Sequence, residues 1–122
     1  MPIESFRDLK VWRAGVQLAV CVVRLTSGLP PEERFGYAPQ LRRSAGSIAA
    51  NIAEGYGRHT RREYLRYLAI ASGSLCELET HLEVVRQVGW CDPAQLEEAD
   101  RLCGHVRRML AGLRRALRPT GP

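Results

Sequence analysis

The chain has 122 residues and a formal net charge of +5, with 18 arginine and lysine residues against 13 acidic residues. This length predicts a single domain over residues 1–122, with an ordered core at about 6–117 that needs neither a disulfide nor a metal to fold. The basic charge favours an acidic partner, and the longest apolar run, residues 18–23, is too short to cross a bilayer, so no membrane partner is expected.

The cysteines and the N-terminal residues indicate the compartment. Cys21, Cys76, Cys91 and Cys103 show neither C-x-x-C spacing nor close pairing, so we expect buried free thiols in a reducing cytoplasm. The first ten residues mix charges where a signal peptide would need a positive start followed by an apolar run. The sequence therefore predicts a cytoplasmic protein.

The first predicted helix runs from about Phe6 to Ser27, ends at Gly28 and carries two apolar stripes. The stripe assigned to the bundle core is Leu9, Trp12, Val16, Ala19, Val20 and Val23. The second stripe, roughly opposite, is Val11, Gly15, Leu18, Val22 and Leu25. Because a short bundle would leave this second stripe in water, we expect it to form a homo-oligomer interface, unless the loop from Gly28 to Gly36 folds back over it.

The second predicted helix begins near Pro39 and stops near Tyr56. One row of apolar residues recurs at helical spacing: Leu41, Ala45, Ile48 and Ile52. Small residues fill most of the remaining surface, which indicates that a neighbouring backbone comes close. We expect Gly46 and Ala50 to lie at that contact, so that a larger residue at Gly46 would destabilise the fold.

The third predicted helix opens at the capping-box residues Thr60 and Glu63 and ends at Gly89. Its first turns and the preceding turn hold four arginines: Arg58, Arg61, Arg62 and Arg66. Free N–H groups and the helix dipole favour an anion at such an N-terminus, which makes this turn a candidate nucleic-acid-binding surface. The alternative is that Thr60 only caps the helix and that the arginines are solvated.

The fourth predicted helix opens at Asp92 and Pro93 and is closed by Pro119. Six arginines fall within a sector of roughly 140° on it: Arg101, Arg107, Arg108, Arg114, Arg115 and Arg118. This basic amphipathic helix predicts contacts with nucleic-acid phosphates. Two alternatives are a solvated face partly paired with the acids of the third helix and a membrane-surface helix, which is disfavoured because the core needs the apolar side.

No residue pattern indicates catalysis or a bound metal or cofactor. The three histidines are isolated in the sequence: His59, His81 and His105. Cys103 and His105 point about 200° apart on a helix and cannot chelate one ion. Asn51 and Glu54 are interpreted as a hydrogen-bonded link between helices, with Arg43 as a candidate partner, rather than as a catalytic pair. We therefore predict no catalytic residues, no metal ligands and no cofactor.

Short connections place consecutive helices antiparallel, so the predicted fold is an all-α, up-and-down four-helix bundle. Several motifs also resemble, in order, the four-helix-bundle proteins encoded by intervening sequences in bacterial 23S ribosomal RNA genes. They are residues 6–12 (FRDLKVW), 41–45 (LRRSA), 51–55 (NIAEG), 73–75 (GSL) and 77–79 (ELE). The similarity runs from about Phe6 to Leu117. It departs from the family at Ala49, where proline is frequent.

The resemblance implies a ring-shaped homopentamer and a ribosomal RNA context. It extends to the accessory proteins of diversity-generating retroelements, which share the pentameric bundle and assist a reverse transcriptase. With the arginine pattern, it predicts a non-enzymatic homo-oligomer that binds RNA or DNA. Because few aromatic residues are expected on the surface, binding should follow the backbone with weak sequence specificity. The alternative is an accessory or scaffold protein that binds an acidic protein partner or a reverse transcriptase.

Overall fold

A computed structural model describes residues 2–119, which form four α-helices and, within that range, no strand. The helices are Lys10–Thr26 (α1), Tyr37–Tyr56 (α2), Arg61–Val88 (α3) and Pro93–Leu117 (α4), with 3-10 turns at Phe6–Asp8 and Pro31–Phe35. The helices pack in the pairs α1–α2, α2–α3, α3–α4 and α1–α4. The all-α, four-helix prediction is confirmed. The predicted domain also included Met1 and residues 120–122, which lie outside the described residues.

Capping residues mark both ends of α3 and the start of α4, at the positions that the sequence predicted. The Thr60 Oγ1 accepts a hydrogen bond from the Glu63 N–H at 3.1 Å. The Asp92 side chain accepts from the Ala94 N–H at 3.0 Å. Gly89 has φ 84° and φ in this left-handed region favours glycine, so α3 stops there.

The start of α1 differs from the prediction because Phe6–Asp8 form a separate 3-10 turn. The Asp8 carboxylate accepts hydrogen bonds from the N–H groups of Glu4 and Ser5, at 2.9 and 3.2 Å. Leu9 then adopts extended backbone, with φ −74° and ψ 123°, so that α1 begins only at Lys10. The capped turn and the extended Leu9 together shorten the first α-helix.

The two apolar stripes of α1 differ in burial from what the sequence predicted. The stripe assigned to an oligomer interface lies in the core of the single chain: Val11, Gly15, Leu18, Val22 and Leu25. Three of its members are 0% exposed. In the stripe assigned to the core, Val20 and Val23 are 43% and 47% exposed. The assignment of the second stripe to an interface is therefore wrong.

Gly15 explains why this side of α1 faces inward. A Cβ built on Gly15 would lie 3.4 Å from the Cβ of Ala49, so the two helices approach closely where α1 has no side chain. The other stripe carries the bulky Trp12, which is only partly buried against the core. Because both stripes share one period, periodicity alone could not choose between them. The loop from Gly28 to Gly36 contributes Leu29 to the core, but the buried stripe of α1 packs against α2.

The apolar row of α2 is buried as predicted, but its close contacts lie at other small residues. Gly46 and Ala50 are exposed, and a Cβ on Gly46 would meet nothing within 4 Å. Gly46 lies about 200° around the helix from Ile48, which faces the core. The tight contact at the C-terminal end is at Gly55, where a Cβ would come within 2.8 Å of the Tyr67 Cβ. The placement of Gly46 and Ala50 against a neighbouring backbone is wrong.

Asn51 belongs to a polar link between α2 and α3, with partners other than those predicted. Its Nδ2 donates to the Ser47 carbonyl oxygen and hydroxyl at 2.8 and 2.9 Å. The Ser47 and Ser74 hydroxyl oxygens are 2.8 Å apart and join the two helices. Arg43 binds Gln40 and Glu77 instead. The Ser47–Ser74 hydrogen bond and the Arg43–Glu77 pair therefore join α2 to α3, and Asn51 contacts this link through Ser47.

All four cysteines are free thiols. Cys103 is 1% exposed, and burial raises the pKa of its thiol to about 12. Burial also raises the pKa of the half-buried Cys21 and Cys91. Cys76 is exposed on α3, so the expectation of a buried thiol is wrong at that position.

Candidate nucleic-acid interface

The register of α3 against α4 determines where the predicted arginines lie. Three polar contacts join the helices: Arg86 with Asp100, Glu79 with Arg107, and Ser72 with Arg114. Each contact is seven residues from the next on both helices, and the two directions are opposite. Successive contacts are therefore about two helical turns apart, and the C-terminal end of α4 lies beside the N-terminal half of α3.

Two of the predicted α4 arginines are neutralised by carboxylates. Arg107 pairs with Glu79 across the α3–α4 contact. The Arg101 Nη2 donates to the Glu98 Oε1 at 2.6 Å, within the first third of α4. For Arg107 the structure agrees with the alternative of a solvated face paired with the acids of the third helix, whereas Arg101 pairs with an acid of α4 itself. Arg101 also lies toward the opposite end of the bundle from the α2–α3 turn.

The other α4 arginines remain available to a ligand. Arg108, Arg115 and Arg118 are exposed, and none has an acidic partner within 4.0 Å among residues 2–119. The Arg114 Nη1 donates to the Ser72 hydroxyl at 3.1 Å, which fixes its position without removing its charge. Three of these four, Arg114, Arg115 and Arg118, occupy the last turn of α4 and its C-cap.

At the α2–α3 turn, Arg58 differs from its neighbours. Its Nη2 donates to the Glu54 Oε1 at 2.5 Å and to the Tyr67 hydroxyl at 2.6 Å. Its Nε lies 3.9 Å from a Glu63 carboxylate oxygen, so two carboxylates offset its charge. Arg61, Arg62 and Arg66 are exposed and have no acidic partner within 4.0 Å in the described chain.

The N-terminal residues of α1 join this same end of the bundle, which sequence analysis missed. A groove between α1 and α4 is lined by Lys10 and Arg13 on one side and by Met109 and Gly112 on the other. Residues 7–13 therefore lie beside the end of α4. Chain order in an up-and-down bundle was the available signal, because it brings the start of α1 to the same end as the α2–α3 turn and the end of α4.

We call this region the basic end: residues 2–13, 54–66 and 114–118. Its unpaired basic side chains are Arg7, Lys10, Arg13, Arg61, Arg62, Arg66, Arg114, Arg115 and Arg118. With Arg58 it holds ten basic and four acidic residues, a net charge of +6. The remaining eight basic and nine acidic residues give −1. The net positive charge of the chain is therefore confined to one end of the bundle.

Residues 2–119 contain neither a cluster of candidate metal ligands nor a helix that could cross a bilayer. No group of three or more histidine, cysteine, aspartate or glutamate side chains is placed to hold a metal ion within residues 2–119. His81 Nε2 lies 3.4 Å from a Glu77 carboxylate oxygen, and its ring meets the Tyr37 ring edge-on at 5.7 Å. No helix of this range is long and apolar enough to span a bilayer.

Comparisons with known proteins place the chain in a family. A solved structure of a protein of unknown function from the S23 ribosomal protein family of Bacteroides thetaiotaomicron is 26% identical. The similarity covers 84% of this chain and 96% of that one, with a TM-score of 0.78. A comparison with curated proteins finds no match. The family model of the 23S rRNA-intervening sequence proteins matches residues 7–112. The chain therefore belongs to the family of 23S rRNA-intervening sequence proteins.

Proposed function

We propose that this protein binds RNA through the phosphate backbone at its basic end, and that it acts by binding rather than by catalysis. The observation that carries the proposal is the net charge of +6 at one end of a bundle whose remainder is at −1. Such a field attracts a polyanion, and each arginine that meets a phosphate releases a condensed counterion. Arginine also binds phosphate in a bidentate manner.

The unpaired arginines supply this binding and the paired arginines contribute less. A phosphate must compete with a carboxylate for Arg101 and Arg107, whereas Arg62 and Arg115 have no carboxylate to lose. Phosphate contacts carry no sequence information, so binding should be weakly sequence-specific. The family is described by its link to 23S rRNA, which supports ribosomal RNA as the ligand.

The proposal includes a homo-oligomer, with its interface on the outer face of α1. Val16, Val20 and Cys21 line an apolar groove of about 550 Å³ with Ala94 and Leu102 of α4. Exposed valines beside an apolar groove are typical of an interaction site. A ring, of the pentameric kind that the family resemblance implies, would repeat the basic end several times around one axis and strengthen RNA binding through multivalency.

A matched pair of triple variants tests the RNA proposal. Arg61→Gln, Arg62→Gln and Arg115→Gln remove three charges from the basic end. The control removes three exposed charges away from both the basic end and the proposed interface, by Arg34→Gln, Arg42→Gln and Arg43→Gln. Binding of mixed-sequence RNA is measured at several salt concentrations. The first variant should flatten the slope of log affinity against log salt by about 2, because a single-stranded contact contributes roughly 0.7. The control should change it little.

Two outcomes contradict the RNA proposal. Equal losses in both triple variants would mean that overall charge, rather than the basic end, attracts RNA. An absent or salt-independent signal in the wild-type protein would favour the alternative of an accessory or scaffold protein, whose partner is an acidic protein or a reverse transcriptase.

The oligomer is tested by charge insertion on the two stripes of α1. Val20→Glu with Val23→Glu should give monomers that keep helical circular dichroism, because both side chains are exposed in the single chain. Leu18→Glu should unfold the protein, because Leu18 is fully buried. Light scattering after size exclusion reports the mass. A wild-type protein that is already monomeric at tens of micromolar would refute the interface.

A further inference from the structure

A cluster of tyrosines lies beside the unpaired arginines of the basic end. The rings of Tyr56 and Tyr64 meet edge-on, with centroids 6.2 Å apart and an interplanar angle of 88°. The Arg58 guanidinium carbon is 4.8 Å from the centroid of the Tyr67 ring, and that of Arg66 is 5.9 Å away. Three aromatic rings and two guanidinium groups thus share the α2–α3 turn.

Gly55 allows this arrangement to form. A Cβ at Gly55 would lie 2.8 Å from the Tyr67 Cβ and 3.1 Å from the Tyr64 Cδ1. The C-terminal turn of α2 therefore packs directly on the first turns of α3, and both tyrosines are fixed by the contact. The three tyrosines stay half-buried, so part of each residue is at the surface.

Arg58 is held in place in a way that suits stacking better than phosphate binding. Glu54, Glu63 and the Tyr67 hydroxyl fix its guanidinium, and the two carboxylates offset its charge. Its side chain nevertheless remains 40% exposed. A guanidinium with a balanced charge adds little to phosphate attraction, but its planar face still stacks on a nucleobase.

An open recess adjoins the cluster. Thr60, Arg62, Glu63 and Arg66 line a depression of about 720 Å³ at the start of α3. Arg62 and Arg66 on its rim are exposed and unpaired within residues 2–119. A nucleotide whose base reached Tyr67 would place its flanking phosphates within reach of these two arginines.

We propose that the Tyr67–Arg58 pair receives an unpaired nucleobase, and that the preferred ligand is single-stranded rather than duplex RNA. This inference rests on the proposed RNA-binding function. Bases in a duplex are paired and stacked, so their faces cannot reach a protein ring, whereas unpaired bases stack on tyrosine and arginine planes. The arginines supply affinity for any RNA, and the stack supplies the preference.

The test compares one short RNA as a single strand and as a blunt duplex with its complement. The wild-type protein should bind the single strand more tightly. Tyr67→Leu should weaken single-strand binding about 10-fold, within the range of base–aromatic stacking, and leave duplex binding unchanged. Tyr67→Phe keeps the ring and should retain the preference. Arg58→Lys, on an exposed residue, keeps the charge but removes the planar group, and should lower the preference without a change in circular dichroism.

A base analogue whose fluorescence is quenched by stacking gives a second readout. Quenching in the complex should be lost in Tyr67→Leu and kept in Tyr67→Phe. Equal affinity of the wild-type protein for both RNAs, or equal losses for both in Tyr67→Leu, would overturn the stacking inference and leave the phosphate-binding function intact. No binding of either RNA would overturn both.

Discussion

The two ends of the bundle use the same residue types in different ways. At the α3–α4 turn, Arg86 is held by Glu83 and Asp100, and Tyr37 packs edge-on against Trp90 at 5.9 Å. At the basic end, the arginines outnumber the carboxylates and the tyrosines lie beside unpaired charge. Arginine and aromatic content therefore does not identify a binding surface by itself. The supply of carboxylates within reach separates a structural arginine from one that is available to a ligand.

The largest expected effect is on the free energy of unfolding, when a glycine at either end of the bundle is replaced. Gly55→Ala should lower the free energy of unfolding by about 1–3 kcal/mol, because the added Cβ meets the Tyr67 Cβ. Gly89→Ala should cost roughly 1–2 kcal/mol for a different reason, its φ of 84°. Chemical denaturation measures both. Gly46→Ala is the control in open space and should stabilise by about 0.5–1 kcal/mol. A neutral Gly55→Ala would show that the tyrosines are not fixed by this contact.

A smaller effect separates paired from unpaired arginines. A double-mutant cycle of Arg86→Gln with Asp100→Asn should give a coupling energy of about 0.2–1 kcal/mol, as expected for a partly exposed ion pair. The same cycle for Arg62→Gln with Glu63→Gln should give a coupling near zero, since the two side chains form no ion pair. Similar couplings in the two cycles would remove the distinction between the two ends.

The smallest expected effect is the loss of stability at acid pH. Hydrogen bonds from Gln87 and Arg86 lower the pKa of Glu83, and those from the N–H groups of Glu4 and Ser5 lower the pKa of Asp8. A carboxyl whose pKa is lower in the folded protein stabilises it above the unfolded pKa. This stabilisation is lost as the pH falls through the folded value. Melting temperature should therefore change little between pH 7 and the ordinary carboxyl pKa, 4.5 for Glu83, and fall below it.

Added salt should distinguish the two carboxyls. It should weaken the acid dependence due to Glu83, which accepts a hydrogen bond from the charged Arg86, more than that due to Asp8, whose pKa is lowered mainly by backbone N–H groups and less by Arg13. Melting curves of Glu83→Gln and Asp8→Asn at low and high salt measure this. An equal response of both variants to salt would contradict it.

Local sequence signals predicted both ends of α3 and the start of α4, and long-range packing decided which stripe of α1 is buried and which arginines are paired. Thr60, Gly89 and Asp92 marked boundaries because capping involves only neighbouring residues. The inner stripe of α1 could not be identified, because the choice depended on a contact between Gly15 and Ala49 on different helices. Six of the ten predicted binding arginines lie unpaired at the basic end. Pairing with distant carboxylates, as for Arg107, was not visible along the chain.

The three contacts between α3 and α4, which are spaced seven residues apart, also favour one alignment of the two helices. A slip of one heptad in one direction would set Glu79 against Asp100, two carboxylates that repel each other. The native alignment instead pairs Arg86 with Asp100 and Glu79 with Arg107. The side chains that join the helices thus also disfavour that misfolded arrangement, and they fix how far the end of α4 extends toward the tyrosine cluster.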